Sequence, residues 1–125
     1  MTLLEALVQR LRDLGVLSVY ALNSPDDRDL TVTLRPYMGE VIPGDQGVLG
    51  DDQYIQYFTR GEPKKYPDAE GLAWGAYRLV LQIHESRGHI VGYLTMLPIQ
   101  PPTYLGEDEK GRPLFSFNVP YRRIG

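Results

Sequence analysis

The string His84-Glu85-Ser86-Arg87-Gly88-His89 comes nearest to chemistry in this chain, because a zinc protease places two histidines one helical turn apart with a glutamate beside the first. Here the spacing fails. Five residues advance a helix by about 500°, which leaves the two rings about 140° apart, and Gly88 is placed to end the helix before His89. The pair reads instead as two exposed histidines at a helix C-terminus, where the negative end of the dipole favours them. Gly44, Gly47 and Gly50 do not form a phosphate cradle: they make no G-x-G-x-x-G, no Gly-Lys-Ser/Thr follows them, and no helix begins there. The acidic groups Asp26-Asp27, Asp51-Asp52 and Glu107-Asp108-Glu109 lack the alternating ligand spacing of a calcium loop. Solvated turns are the expectation, with weak cation binding at Asp108 and Glu109, between Gly106 and Gly111, as the alternative. Ser24, Ser86 and Ser116 sit in no nucleophile elbow. With no cysteine in the chain, thiolate ligands, disulfides and a Cys nucleophile are excluded. These residues point to no catalytic group, cofactor or metal site, and the chain is expected not to be an enzyme.

Nine tyrosines raise a second possibility, base stacking on a sheet by Tyr54, Tyr57 and Phe58 beside Arg60. Charge argues against it. The net charge is −3, and Lys64-Lys65 and Arg122-Arg123 are the basic pairs, so strand aromatics are expected to pack a core or a protein partner. The chain has 125 residues, 42% of them hydrophobic and 23% charged, which suits one domain with one core. No run of about 18 apolar residues spans a bilayer, and Glu5, Arg10 and Arg12 spoil the opening as a secretory signal, so a cytoplasmic site of synthesis is expected.

The elements that position these residues follow from periodicity. Thr2-Leu3-Leu4-Glu5 has capping-box spacing, Leu4, Leu7, Val8 and Leu11 recur at helical intervals, and Gly15 can close the helix, which places a first helix over about 3–14. Residues 16–22 and 30–35 read as two strands of a meander, with Asn23-Ser24-Pro25-Asp26-Asp27 as the turn. Residues 36–53 contain four glycines and Pro43 and read as a long loop or a splayed hairpin. A third strand covers 54–59 and ends at Arg60-Gly61-Glu62-Pro63. Pro67 at a first helical position, acids in the first turn, and Leu72, Ala76, Leu79, Val80 and Ile83 on one face define a second helix that closes at Arg87-Gly88. Ile90–Ile99 reads as a strand, 101–102 and 106–111 as loop, and Leu114–Val119 as a last strand with Phe115 and Phe117 on one side. The predicted fold is α+β, order α-β-β-β-α-β-β, with two helices packed on one face of a small, largely antiparallel sheet.

Three segments occur in order: Tyr57-Phe58-Thr59-Arg60-Gly61-Glu62-Pro63, then Tyr66-Pro67-Asp68-Ala69-Glu70 opening a helix, then Pro101-Pro102-Thr103-Tyr104-Leu105-Gly106-Glu107-Asp108-Glu109-Lys110-Gly111-Arg112-Pro113-Leu114-Phe115-Ser116-Phe117-Asn118. In this combination the chain resembles the phage minor capsid or tail-terminator family of long-tailed bacteriophages. The resemblance runs from about Tyr54 to Asn118. It implies a compact α/β fold that closes as a ring, expected to be hexameric, at the top of the tail tube. Such a ring stops tube polymerisation and offers a surface to the head. The implied partners are further copies of the chain, the tail-tube protein and the head-tail connector, with no membrane and no direct nucleic-acid contact. The implied location is the tail-head junction of the virion, and a stopper or adaptor in the neck is the neighbouring alternative. An assembly protein needs apolar or aromatic surface between subunits. Val41, Ile42, Val48 and Leu49, in the glycine-rich loop, are expected to dock on a neighbouring ring or tube subunit, the alternative being that they fold over their own sheet. Arg60 or Arg112 is expected to pair with Asp108 or Glu109 of a neighbour, as charges fix register in rings.

Overall fold

The computed structural model describes residues 2–16, 18–37, 52–85 and 89–124. Helix α1 (Leu3–Asp13) starts where Thr2 Oγ1 accepts from the Glu5 backbone N–H at 3.1 Å, and it buries Leu3, Leu7, Val8 and Leu11. It ends at Leu14, with Gly15 in the left-handed region at φ 102°. Strands β1 (Val19–Ala21), β2 (Thr31–Tyr37) and β3 (Asp52–Arg60) follow, then helix α2 (Tyr66–Glu85). Strands β4 (His89–Ile90), β5 (Tyr93–Thr95), β6 (Thr103–Glu107) and β7 (Pro113–Arg123) complete the chain.

The seven strands form one mixed sheet of order β1-β2-β3-β7-β5-β4, with β6 paired to the first half of β7. Period-2 alternation decides its two faces. Val32, Leu34, Ile55, Tyr57, Phe117, Val119 and Tyr121 turn to one face and join Leu7, Leu11, Val80 and Ile83 of both helices in a single apolar cluster. Each such side chain contributes roughly 1.5–3 kcal/mol on burial. Both helices therefore cover the same face, as expected. A smaller cluster of Ala69, Ala73 and Phe115 seats the start of α2. There the chain comes so close that a Cβ on Gly61 would lie 2.4 Å from that of Ala69.

The expected order of elements stands, with three local corrections. Strands β1 and β2 are parallel rather than a meander, because residues 22–30 cross over the sheet instead of forming a hairpin. The strand expected over 90–99 is a short hairpin, β4 and β5, turned by Val91 and Gly92 at φ 50° and 78°, followed by a segment along the β7 edge. Residues 103–107, of which 106 and 107 fall in the expected 106–111 loop, pair with β7 as β6, with Leu105 as a bulge between Tyr104 and Gly106. Strand β7 runs on to Arg123 because β3 pairs with it over nine positions and β5 over its last three.

Candidate functional site

The face of the sheet away from the helices carries the densest group of charges. Arg112, just before β7, is 2% exposed in its side chain, yet it stays ionised because its whole fork is occupied. Nε donates to Asp108 Oδ2 at 2.7 Å, Nη2 to Asp26 Oδ1 at 2.7 Å, and Nη1 to the Asp26 carbonyl at 2.8 Å, with Asp29 Oδ1 at 3.5 Å. Burial works against this charge, but the hydrogen bonds to Asp26 and Asp108 outweigh it and raise the guanidinium pKa. Local turn chemistry orients the acid partner: Asp108 Oδ1 accepts from the backbone N–H groups of Lys110 and Arg112, both at 3.0 Å. Burial pushes the Asp108 carboxyl up, and the backbone and guanidinium of Arg112 more than offset it, so its pKa is lowered. Lys110 Nζ reaches Asp26 Oδ2 at 2.7 Å. Hydrogen bonds from Lys110, then Arg112, hold the Asp26 carboxyl down at about 2.

Arg60, at the end of β3, adds a second tie. Its Nη2 donates to the carbonyls of Pro25 and Arg28, both at 2.5 Å. Burial first, then the neighbouring Arg112, lower its pKa. Ser24 and Thr33 share a short hydroxyl contact over the same face. These contacts clamp the 22–30 connection onto β2, β3 and the β6–β7 turn. The clamp answers a topological need, since a connection this short between parallel neighbours has little chain with which to pack itself.

The predicted site residues are thus placed as follows. Arg60, Asp108 and Arg112 come together in this clamp, and Arg112 pairs with Asp108 of its own chain. Glu109 is exposed on the same turn. Val41, Ile42, Val48 and Leu49 lie outside the described residues. Sequence reasoning did not assign Asp26 and Asp29, which stand more than 80 positions from Arg112, and no spacing signal links them. The local Asp108–Arg112 pair was the part open to detection. Its carboxylate is occupied by Arg112, so the weak cation reading of that turn is superseded.

The other chemical candidates are also resolved. His84 is half-buried rather than exposed, and its Nδ1 donates to the Thr95 carbonyl at 2.9 Å. His89 belongs to β4, not to the helix of His84. Tyr57 is buried under the helices, stacked on Phe117 with centroids 4.9 Å apart, while Phe58 faces the other way beneath the Arg35 guanidinium at 4.4 Å. The two aromatics cannot form one stacking platform for bases. No helix among the described residues is long and apolar enough to cross a membrane.

What the arrangement does chemically is fix geometry: a buried fork holds one connection, one turn and one strand end in register, leaving loops and sheet edges to make contacts. Comparison with curated proteins found no match. Compared with known protein families, the chain matches the bacteriophage tail terminator protein over residues 10–120. That span takes in the end of α1, the whole of α2, all of the sheet but the last three residues of β7, and the whole clamp, and the chain belongs to the bacteriophage tail terminator family.

Proposed function

We propose that the protein caps the tail tube as a ring, ends tube polymerisation and provides the surface to which the head joins. The family match over residues 10–120 carries this reading, since it gives the chain a structural role in phage tail assembly. The ring is hexameric, and its neighbours are the tail-tube protein below and the connector above, at the tail-head junction. The chain works as one domain in this role. Val41, Ile42, Val48 and Leu49 dock on an adjoining subunit of ring or tube, and Glu109, on the rigid turn held by Asp108, Arg112 and Arg60, sets register against a neighbour.

Negative-stain microscopy of particles made with the gene disrupted tests this. Overlong or headless tails are the expected result. Tails of normal length detached from emptied heads would overturn termination and move the protein to a connector-side position in the neck.

A further inference from the structure

Six of the exposed large apolar side chains among the described residues gather at two edges, while Leu30, Tyr37, Tyr66, Val91 and Ile124 are exposed outside them. Leu14 and Leu22 flank β1, while Leu97, Ile99, Tyr104 and Leu105 line the segment that ends in β6. These are opposite edges of one row: Val19 pairs with Val32, Val32 with Thr59, Thr59 with Phe115, and Phe115 with Tyr104. The charges differ in sign as well. Arg10 and Arg12 are exposed beside β1, with Asp13 held by Gln9, whereas Glu107, at the end of β6, and Glu109, in the turn after it, are exposed, with Lys64 3.4 Å from Glu107 and Lys110 turned to Asp26.

Leu22 adds an independent sign. It is 53% exposed and sits at φ 70°, a backbone conformation that suits glycine or asparagine and strains a leucine. Backbone hydrogen bonds hold it there, Leu22 N to Leu34 O at 2.9 Å and Asn23 N to Ala21 O at 2.8 Å, and neither depends on the leucine side chain. A leucine where glycine would sit unstrained supports a contact role for this side chain.

We propose that the β1 edge of one copy seats on the β6 edge of the next, head to tail. Leu14 and Leu22 cover Leu105 and Ile99, and Arg10 and Arg12 face Glu107 and Glu109. The proposal deepens the ring reading above and rests on it. Two different edges make a heterologous contact, the kind that closes into a ring when its rotation fits. Following the pairings across the row, β6 runs opposite to β1, so the meeting edges lie antiparallel. A continuous backbone ladder does not form. Val32 N bonds to Ser18 O and Leu22 N to Leu34 O, which turns the Val19 and Ala21 backbone outward. Their carbonyls are already taken, Val19 O by Arg12 at 3.0 Å and Ala21 O by Asn23 N at 2.8 Å. Side chains therefore make the contact, and the capped edge of β1 guards against open-ended strand addition.

The absence of cysteine from the chain allows a clean test. Phage lacking the gene are complemented with Leu14→Cys, Leu105→Cys or both, and purified particles are treated with a short bismaleimide before a denaturing gel. The pair Leu22→Cys and Ile99→Cys replaces this pair if either of its variants is not incorporated. A ladder of covalent multimers from the double variant, with each single variant remaining unlinked, is expected. Dimers from a single variant would overturn the head-to-tail arrangement. An unlinked double variant on tails whose terminal ring is visible by microscopy would overturn the edge contact and leave the ring reading standing. Linkage of Leu105→Cys to a protein of another size would give the β6 edge to the tube or connector instead. Tails carrying no ring of this chain would remove the ring reading and the edge contact together.

Discussion

The two faces of the sheet are held in different ways. On the helical face, Leu7, Leu11, Val80, Phe117 and their neighbours exclude water without directional demands, so many similar side chains would serve. On the opposite face, the buried guanidinium of Arg112 must meet Asp108, Asp26 and a carbonyl together, and each contact depends on the others. The first supplies stability; the second specifies where one crossing connection lies. Separating these roles leaves the sheet rigid while its edges and loops remain available for assembly.

The largest expected effect is on the helical face. Phe117 is fully buried, stacked on Tyr57 and edge-on to Tyr77 at 5.4 Å, and Phe117→Ala is expected to cost about 3–5 kcal/mol in urea unfolding. A cost below about 1 kcal/mol would mean that the face is not the main source of stability. Next comes Arg112→Leu, expected to cost about 3 kcal/mol or less, because Asp26 lies at the surface and regains water when its partner is lost. The comparison sharpens with limited trypsin digestion: cleavage after Arg28 should accelerate in Arg112→Leu well before global unfolding, and should not do so selectively in Phe117→Ala. Equal patterns in the two variants would break the division of roles.

Gly61→Ala follows, at about 1–3 kcal/mol, because the added methyl would sit 2.4 Å from Ala69 Cβ and push α2 off the sheet. Tyr57 and Tyr121 bring one directional contact into the apolar face, their hydroxyls meeting at 2.5 Å. Tyr57→Phe strands the Tyr121 hydroxyl at a cost of about 1–2 kcal/mol, and adding Tyr121→Phe should recover most of it. A double variant no more stable than the single would remove this account. Smallest is the pH effect. The carboxyls of Asp26, held at about 2 against an ordinary 3.8, and of Asp108 are depressed in the folded state. Their contribution is present above pH 3.8 and is lost as pH falls toward about 2. The thermal midpoint should drop over that window, and less steeply in Arg112→Leu; identical slopes would exclude the clamp as the source.

The legible parts of the fold share one property, local repetition. Both helices follow from 3.6-residue spacing, and Phe115 and Phe117 fall on the core side by alternation within one strand. The short strands were harder. Two residues of β4 and three of β5 show no period, and the bulge at Leu105 breaks the alternation of β6. The parallel pairing of β1 with β2 left no local trace, because the turn-forming residues Asn23 to Asp27 fit a hairpin as well as the crossover that forms. At the site, Asp108 and Arg112 were visible as turn residues four apart, whereas their meeting with Asp26 required the folded sheet to bring distant segments together.

Taken by itself, the sequence determined the two helices, the core-facing residues, the α+β class and, through three ordered segments, the family, all from information carried within short stretches of chain. The tertiary structure alone decided that Arg112 is buried, that residues 22–30 cross the sheet, and that two edges bearing exposed apolar side chains lie in one row. The reason is physical: periodicity reports burial against a generic apolar surface, while the pairing of specific charges and edges depends on long-range register, which no local pattern encodes.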